Sequence, residues 1–228
     1  DPKQAKGLVK REVIRVVTPG TLTNSQVLEE SKNNYLMGIV YIDGVFGVST
    51  VDVSTGDYLV TEVRNERSLL DEIYKFSPSE LICNEAFYMS GIDLEDLKVR
   101  LNAVISALEN RFFSDDSCRR ILREHFHVEH LEALGLADYE TGAIAAGAVL
   151  QYLYETQKNT LEHLTRLTVY TTGQFMMLDT STRRNLELTE TLREKQKRGT
   201  LLWVLDKTKT AMGARMLRTL VEQPLISR

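Results

Sequence analysis

The sequence contains few of the residues that crosslink, break or anchor a protein chain. Its 228 residues include 2 cysteines, 4 prolines and 1 tryptophan. Two cysteines do not make a disulfide framework, so Cys83 and Cys118 are interpreted as reduced thiols of a cytosolic protein. The longest apolar candidate, residues 143–153, is interrupted by polar Gln151 and is shorter than the ~18–20 residues that span a bilayer. The first six residues (DPKQAK) contain no apolar run, so no signal peptide is predicted.

The composition is that of an ordinary globular protein, but the charge is unevenly distributed. Hydrophobic residues make up 43% and charged residues 26% of the chain, enough for one core and part of another. Residues 183–228 hold 11 Lys+Arg and 5 Asp+Glu, whereas residues 1–182 hold 17 and 27. An acidic part followed by a basic part indicates a boundary and, weakly, a polyanionic partner near the basic part.

The first half of the chain carries a strand pattern. Three runs rich in β-branched and aromatic residues, 36–42, 45–53 and 58–63, are separated by turn residues, of which Asp43-Gly44 is a strong hairpin signal. They predict an antiparallel meander. An earlier alternating run, 8–17, predicts a strand arriving from upstream, and the Pro19-Gly20 pair after it predicts a turn.

Helices and strands then alternate. The predicted elements are a helix over 68–76, a buried strand over 80–83, helices over 94–108 and 118–126 with a strand at 111–113 between them, and a helix from an Asp138 cap to Lys158. The last helix is rich in glycine and alanine, so it can lie close against a sheet or another helix. Together these patterns predict an α/β fold in which helices cover a mixed sheet.

The pattern changes again after Lys158. A short strand-like run at 164–170 leads to a polar helix that is capped by Asp179, Thr180 or Ser181 and ends at Gly199-Thr200. This helix has few apolar anchors and therefore expects partners. An amphipathic helix over 211–222 follows and is stopped by Pro224.

Several of these runs, taken in order along nearly the whole chain, resemble the MutS family of DNA mismatch-repair proteins. The most specific stretches are 182–188 (TRRNLEL) and 210–217 (TAMGARML). The turn at 17–21 (VTPGT), the 52–56 run (DVSTG) and the 150–158 stretch (LQYLYETQK), which His163 follows, resemble the beginning and end of that family's connector domain. The resemblance implies a ribonuclease-H-like connector followed by the beginning of an all-α core or lever domain. It divides the chain into 1–17, an incoming segment; 18–160, the connector; and 161–228, the helical part.

The resemblance also implies what the whole protein does. Such proteins are dimers that clamp mismatched duplex DNA, switch with ATP and magnesium, and recruit MutL, and in bacteria they are cytoplasmic. The family's mismatch-reading Phe-x-Glu motif and its Gly-x-x-x-x-Gly-Lys-[Ser/Thr] phosphate loop are both absent from this sequence. We therefore expect this chain to be a monomeric piece without a catalytic, metal or cofactor site, which relays between domains through a pivot after Lys158. A MutL contact is expected on the meander loops or near 93–96.

Basic residues of the second part are the candidate contacts. Arg183 and Arg184 either anchor the helical part to a neighbouring domain or lie in solvent. Lys195, Lys197 and Arg198 either contact DNA phosphate or compensate the dipole at a helix C-terminus. The dipole interpretation is favoured because glutamates are interleaved with these residues.

Other residues of the sequence allow catalytic or metal-binding chemistry, but structural roles explain them better. The carboxylates Asp43, Asp52, Asp57 and Glu85 could serve a metal-dependent nuclease, the alternative function, but turn capping explains the aspartates better. His125, His127 and His130 could bind zinc. On a helix His127 and His130 would share a face, and solvated positions at a helix end are the favoured interpretation. Cys83 lies in a buried strand, where a thiol is unreactive. A generic protein-binding module without any role at DNA is the third hypothesis.

Overall fold

The computed structural model describes residues 16–22, 32–157, 161–173, 175–176, 178 and 180–226. Its centre is a six-stranded mixed sheet. The strands are β1 (Tyr35–Ile42), β2 (Val45–Asp52), β3 (Asp57–Val63), β4 (Glu80–Cys83), β5 (Val104–Ala107) and β6 (Thr168–Val169), in the order β5-β4-β1-β2-β3-β6. β1, β2 and β3 are antiparallel, β4 and β5 run parallel to β1, and β6 runs parallel to β3. This confirms the predicted meander and the ribonuclease-H-like mixed sheet.

The sheet is covered on both faces. The helices of this part are α1 (Glu66–Phe76), α2 (Glu85–Tyr88), α3 (Leu94–Leu101), α4 (Asp115–Phe126) and α5 (Glu140–Gln157). One face packs against α5, which in turn packs against α4, and the opposite face packs against α1, α2 and α3. A sheet that is buried on both faces is a rigid layer, because side chains on each side interlock at close packing.

Glycines allow α5 to approach the sheet and α4 closely, as its small residues predict. A Cβ at Gly47 of β2 would lie 2.2 Å from the Thr141 carbonyl oxygen of α5. A Cβ at Gly147 would lie 2.3 Å from the Cβ of Cys118 in α4. Neither position has room for a side chain, so these glycines set the distances between the layers.

Two of the predicted elements near β5 are wrong. The helix expected over 94–108 ends at Leu101, because Asn102 adopts the left-handed conformation (φ 52°), and the chain then turns into β5. β-Branched Val104 and Ile105 extend the sheet beside β4, so tertiary pairing overrides the local helical pattern. The strand expected at 111–113 is a 3-10 turn, Asn110–Phe113.

The second part consists of short helices: α6 (Thr180–Asn185), α7 (Leu201–Leu205) and α8 (Ala211–Glu222). The long polar helix expected up to Gly199 is wrong, because α6 ends at Asn185 and both Glu187 and Lys195 have positive φ. α8 has the predicted bounds, and none of its residues is buried. The strand expected at 8–17 lies almost wholly outside the described residues. Within the described ranges no helix combines the length and apolarity needed to cross a bilayer.

Candidate interdomain junction

The segment that follows α5 is packed onto the α/β body. Leu161, Leu164 and Leu167 are at most 6% exposed, and β6 pairs with β3 directly after them. His163 donates its Nε2–H to the Val53 carbonyl at 2.9 Å. The chain from Leu161 to Tyr170 is therefore packed on the α/β body, and the pivot predicted after Lys158 stays a prediction. The predicted boundary at 160 remains a prediction.

A buried ion pair lies where the sheet ends and the second part begins. The ammonium of Lys75, near the end of α1, contacts the Glu72 carboxylate at 3.1 Å, and the two side chains are 11% and 4% exposed. The same carboxylate oxygen accepts the Tyr170 hydroxyl at 2.6 Å. Burial lowers the pKa of Lys75, and the neighbouring Glu72 opposes that shift. Burial and then Glu72 raise the pKa of Tyr170 well above its usual value, so its hydroxyl remains a donor.

Aromatic rings surround this ammonium. The Lys75 Nζ lies 4.3 Å from the ring centre of Tyr170, 4.8 Å from Phe76 and 5.2 Å from Phe175. All three distances are within the ~6 Å over which a ring face attracts a cation. Phe76 and Tyr170 belong to the α/β body, whereas Phe175 follows the exposed linker residues Thr171–Gly173. Together, Glu72, Lys75, Phe76, Tyr170 and Phe175 form the Lys75 cluster.

Arg183 of α6 binds the end of the same helix. Its Nη1 donates to the Tyr74 carbonyl at 3.2 Å and to the Lys75 carbonyl at 3.5 Å, and its Nε donates to Leu178 at 3.0 Å. Carbonyls in the last turn of a helix lack intrahelical partners and carry partial negative charge, so a guanidinium satisfies them. Burial lowers the pKa of Arg183, and the Glu222 charge opposes this. Arg184 is exposed.

The C-terminal end of α8 completes the junction. Phe175 forms a β-bridge with Leu225, and the Met176 N–H donates to the Pro224 carbonyl at 2.7 Å. A cleft of about 240 Å³ separates α1 from α8. Arg218 in this cleft pairs with Glu222 at 3.0 Å. The helical part therefore contacts the body mainly around the last turn of α1.

The remaining candidate basic residues lie away from this junction. Lys195, Lys197 and Arg198 are exposed and belong to turns, so the interpretation that they compensate a helix dipole is wrong. Lys197 pairs with Asp206, and this contact and Thr208 lower the pKa of that carboxyl. A phosphate contact by these residues remains a prediction.

Two of the candidate carboxylates, Asp52 and Asp57, are opposite each other in the register of β2 and β3, but the four are not gathered at one place. Asp43 (in the β1–β2 hairpin turn, φ 48°) lies one full strand away from Asp52, a separation of roughly 25 Å at the usual rise per residue. Asp52 is fully buried; its Oδ1 accepts the Ser54 N–H at 2.8 Å, and its Oδ2 accepts the Asn34 N–H at 3.0 Å. Two catalytic metal ions lie ~4 Å apart, so Asp43 cannot share them with Asp52. No cluster able to hold a metal occurs among the described residues.

The histidines separate as well. The expectation that His127 and His130 share a helix face is wrong, because α4 ends at Phe126 and His127 is its left-handed cap. Both are exposed, as favoured, but His125 is half-buried. Its Nε2 donates to the Leu164 carbonyl at 2.8 Å, and its Nδ1 contacts the Tyr154 hydroxyl at 2.7 Å. Burial lowers the pKa of His125, so its ring is neutral. The two contacts of this ring help to hold the segment that follows α5.

Comparison with known proteins gives the family. Residues 34–165 match the family model described as MutS domain II, and residues 181–228 match MutS domain III. The chain belongs to the MutS family.

The DNA mismatch repair proteins MutS of Lachnoclostridium phytofermentans and Acetivibrio thermocellus are 62% and 47% identical to it over 227 and 230 residues. Each alignment covers 100% of this chain but only 24% and 26% of the relative, so the chain spans about a quarter of the length of these relatives. A solved structure of T. thermophilus RuvC in complex with Holliday junction substrate matches 53% of the chain at TM-score 0.37 and 11% identity, too distant to carry an argument.

Sequence reasoning missed the residues that form the junction in this MutS segment. Lys75 and Glu72 are an ordinary i,i+3 pair in the sequence, and Tyr170 and Phe175 lie about a hundred residues further on. The available signal was a lysine and a glutamate on a helix face that otherwise carries Leu69, Ile73 and Phe76. Such charges are buried only when they are paired.

Proposed function

We propose that this chain is the connector and the beginning of the lever of a longer mismatch-repair protein, in which it relays between a DNA-binding part and an ATPase part. Membership in the MutS family and the share of its relatives that it spans support this proposal. The whole protein would act in the bacterial cytoplasm on mismatched duplex DNA and would use ATP and magnesium bound elsewhere. This segment would hold no cofactor and catalyse no reaction.

The observation that carries the proposal is the junction. A sheet with cores on both faces moves as one body, whereas the helical part contacts it through a small set of residues around the end of α1 and through Arg215, which donates to the Ser54 hydroxyl at 3.3 Å. Between them, Thr171–Gly173 is exposed, and Gly173 has φ 103°. Domain rotation concentrates φ/ψ changes at a few residues of this kind while packed cores stay intact.

The basic residues would contribute little to DNA binding by the segment alone. Arg183 already binds carbonyl groups and Lys197 is paired with Asp206, which leaves Arg184, Lys195 and Arg198 with exposed side chains. A few phosphate contacts give weak, salt-sensitive and sequence-independent affinity. We expect homoduplex and mismatched duplex to bind the 228-residue chain equally weakly in a fluorescence anisotropy titration at ~0.15 M salt. Mismatch-selective binding by the isolated chain would contradict the proposal.

A MutL-type protein is the proposed partner of the connector. The region around α2 and α3 exposes apolar side chains, since Met89 is 75% and Val99 is 80% exposed. Tyr88, directly before Met89, is 40% exposed as well, and neighbouring exposed apolar side chains favour a protein-binding surface. The test is crosslinking of the intact repair protein to its MutL, with photoreactive residues at Met89 and Val99 and matched controls at exposed Glu132 and Ala133. Crosslinks at the first pair and not at the second are expected. The absence of any crosslink within 20–160 would remove the partner from the proposal.

A further inference from the structure

The Lys75 cluster is divided between the two sides of the junction. Glu72, Lys75 and Tyr170 are held by α1 and by the chain leaving β6, whereas Phe175 lies beyond the exposed Thr171–Gly173 linker. The body alone therefore provides the ion pair and two of the rings. The helical side provides only the third ring, and Phe175 is tied to the end of α8 through its bridge with Leu225.

The position of the Lys75 ammonium does not depend on the third ring, that of Phe175. The Glu72 carboxylate is only 4% exposed, and a buried carboxylate needs its counter-charge, so Lys75 stays in place whether or not the junction is closed. When Phe175 lies over it, the ammonium is attracted to a ring face in a partly desolvated site. When Phe175 leaves, water hydrates the ammonium instead. The ammonium therefore has a favourable partner in both states, the Phe175 ring or water. An element that switches between two states requires this.

We propose that the Lys75 cluster is a conformational lock, in which the ring of Phe175 on the Lys75 ammonium sets the orientation of the helical part on the α/β body. Arg183 reinforces the closed state, because it binds the carbonyls of Tyr74 and of Lys75 itself. The inference deepens the proposed connector role by naming the contact that opens when the two parts rotate.

The test measures the separation of the two parts in the 228-residue chain, without DNA or any partner. Nitroxide labels are attached at Glu85→Cys in α2 and Met212→Cys in α8, both exposed positions. Cys83 and Cys118 are fully buried and stay unlabelled. Pulsed electron-spin spectroscopy then gives the distance distribution. Phe175→Leu keeps apolar bulk but removes the ring, and Lys75→Met keeps the aliphatic stem but removes the charge. Lys98→Met is the control, because Lys98 pairs with Glu95 on the surface of α3.

A narrow distribution is expected for the wild type and for Lys98→Met. Phe175→Leu and Lys75→Met should add a second, separate population, with the open-to-closed ratio raised between about two-fold and about thirty-fold, the range of a cation–π contact. The double variant should open no further than the single ones, because all remove one interaction. If Lys75→Met unfolds the chain, Phe175→Leu alone decides the test. Phe175 lies outside the core clusters of the body, so its replacement should not unfold them.

A Phe175→Leu distribution that matches the wild type would overturn the lock, and so would a wild type that is already broad. Neither result would contradict the relay proposal, because the DNA-binding and crosslinking experiments test that proposal separately.

Discussion

The hydroxyl of Tyr152 donates to the buried carboxylate of Glu80 at 2.6 Å, while the second oxygen of that carboxylate accepts the Gly20 N–H at 2.9 Å. Glu80 is 2% exposed at the beginning of β4 and Tyr152 lies on α5, so the pair joins a strand, a helix and the incoming turn. Gln157 adds a bond to the Thr21 carbonyl at 3.0 Å. The incoming chain is thereby fixed to the same body that holds the chain after α5.

Tyr152→Phe should destabilise this body. It removes one of the two partners of a buried carboxylate, and an unsatisfied buried acceptor costs about 1–3 kcal/mol. The free energy of unfolding in urea measures the loss. Tyr88→Phe, at an exposed position of α2, is the matched control and should stay within about 0.5 kcal/mol of the wild type. Equal losses in both variants would show that the Glu80 contact has no special weight.

Gly147→Ala should cost several kcal/mol, because the added Cβ would lie 2.5 Å from the Cα and 2.8 Å from the carbonyl oxygen of Cys118. Backbone atoms cannot rotate away, so α4 has to move off α5. Gly213→Ala in α8 is the control, since its nearest neighbour is the Thr210 hydroxyl at 3.1 Å and alanine favours a helix by up to about 1 kcal/mol. Thermal unfolding compares the two, and a mild effect at Gly147 would mean that the helices separate easily.

Stability should fall at alkaline pH. Burial raises the pKa of Cys83 to about 12, and burial followed by Asp115 raises that of Cys118 to about 12, while burial raises the pKa of Tyr58 above its usual range. In the unfolded chain these groups lose protons from about pH 8.5 for cysteine and 10 for tyrosine. Their stabilisation is therefore complete below about pH 8.5 and lost as the pH rises toward the folded values.

Urea midpoints at pH 8, 9, 10 and 11 should decline steadily, and less steeply in Cys83→Ala than in the wild type. A wild-type midpoint that does not change over this range would contradict the assignment of these groups as buried.

Arg183→Lys should loosen the junction, whereas Arg184→Lys should not. A lysine provides a point charge and cannot hold the planar, multiple hydrogen bonds that Arg183 makes to Tyr74, Lys75 and Leu178. Hydrogen exchange of the peptides that contain residues 71–78 and 218–226 should accelerate several-fold in the first variant. Equal protection in both variants would argue that Arg183 is dispensable.

Local patterns predicted the elements whose partners are close in the sequence. The meander, the left-handed Asp43-Gly44 turn and the bounds of α8 follow from alternation, turn residues and helical spacing. β5 was missed because its two β-branched residues join a sheet whose other strands lie far away, and the turns after Asn185 were missed because charged residues at helical spacing resemble a solvated helix. His125 was expected in solvent, since nothing near it in the sequence indicates Tyr154 or Leu164.

The sequence by itself determined the family, the mixed α/β class and the presence of a second, helical part, because hydrophobic periodicity and motif order are properties of neighbouring residues. Only the tertiary structure decided what holds the parts together. Arg183 reaches Tyr74 across 109 positions and Tyr170 reaches Glu72 across 98. Such contacts depend on how the whole core packs, since they form only after the sheet has brought the end of α1 beside the chain leaving β6.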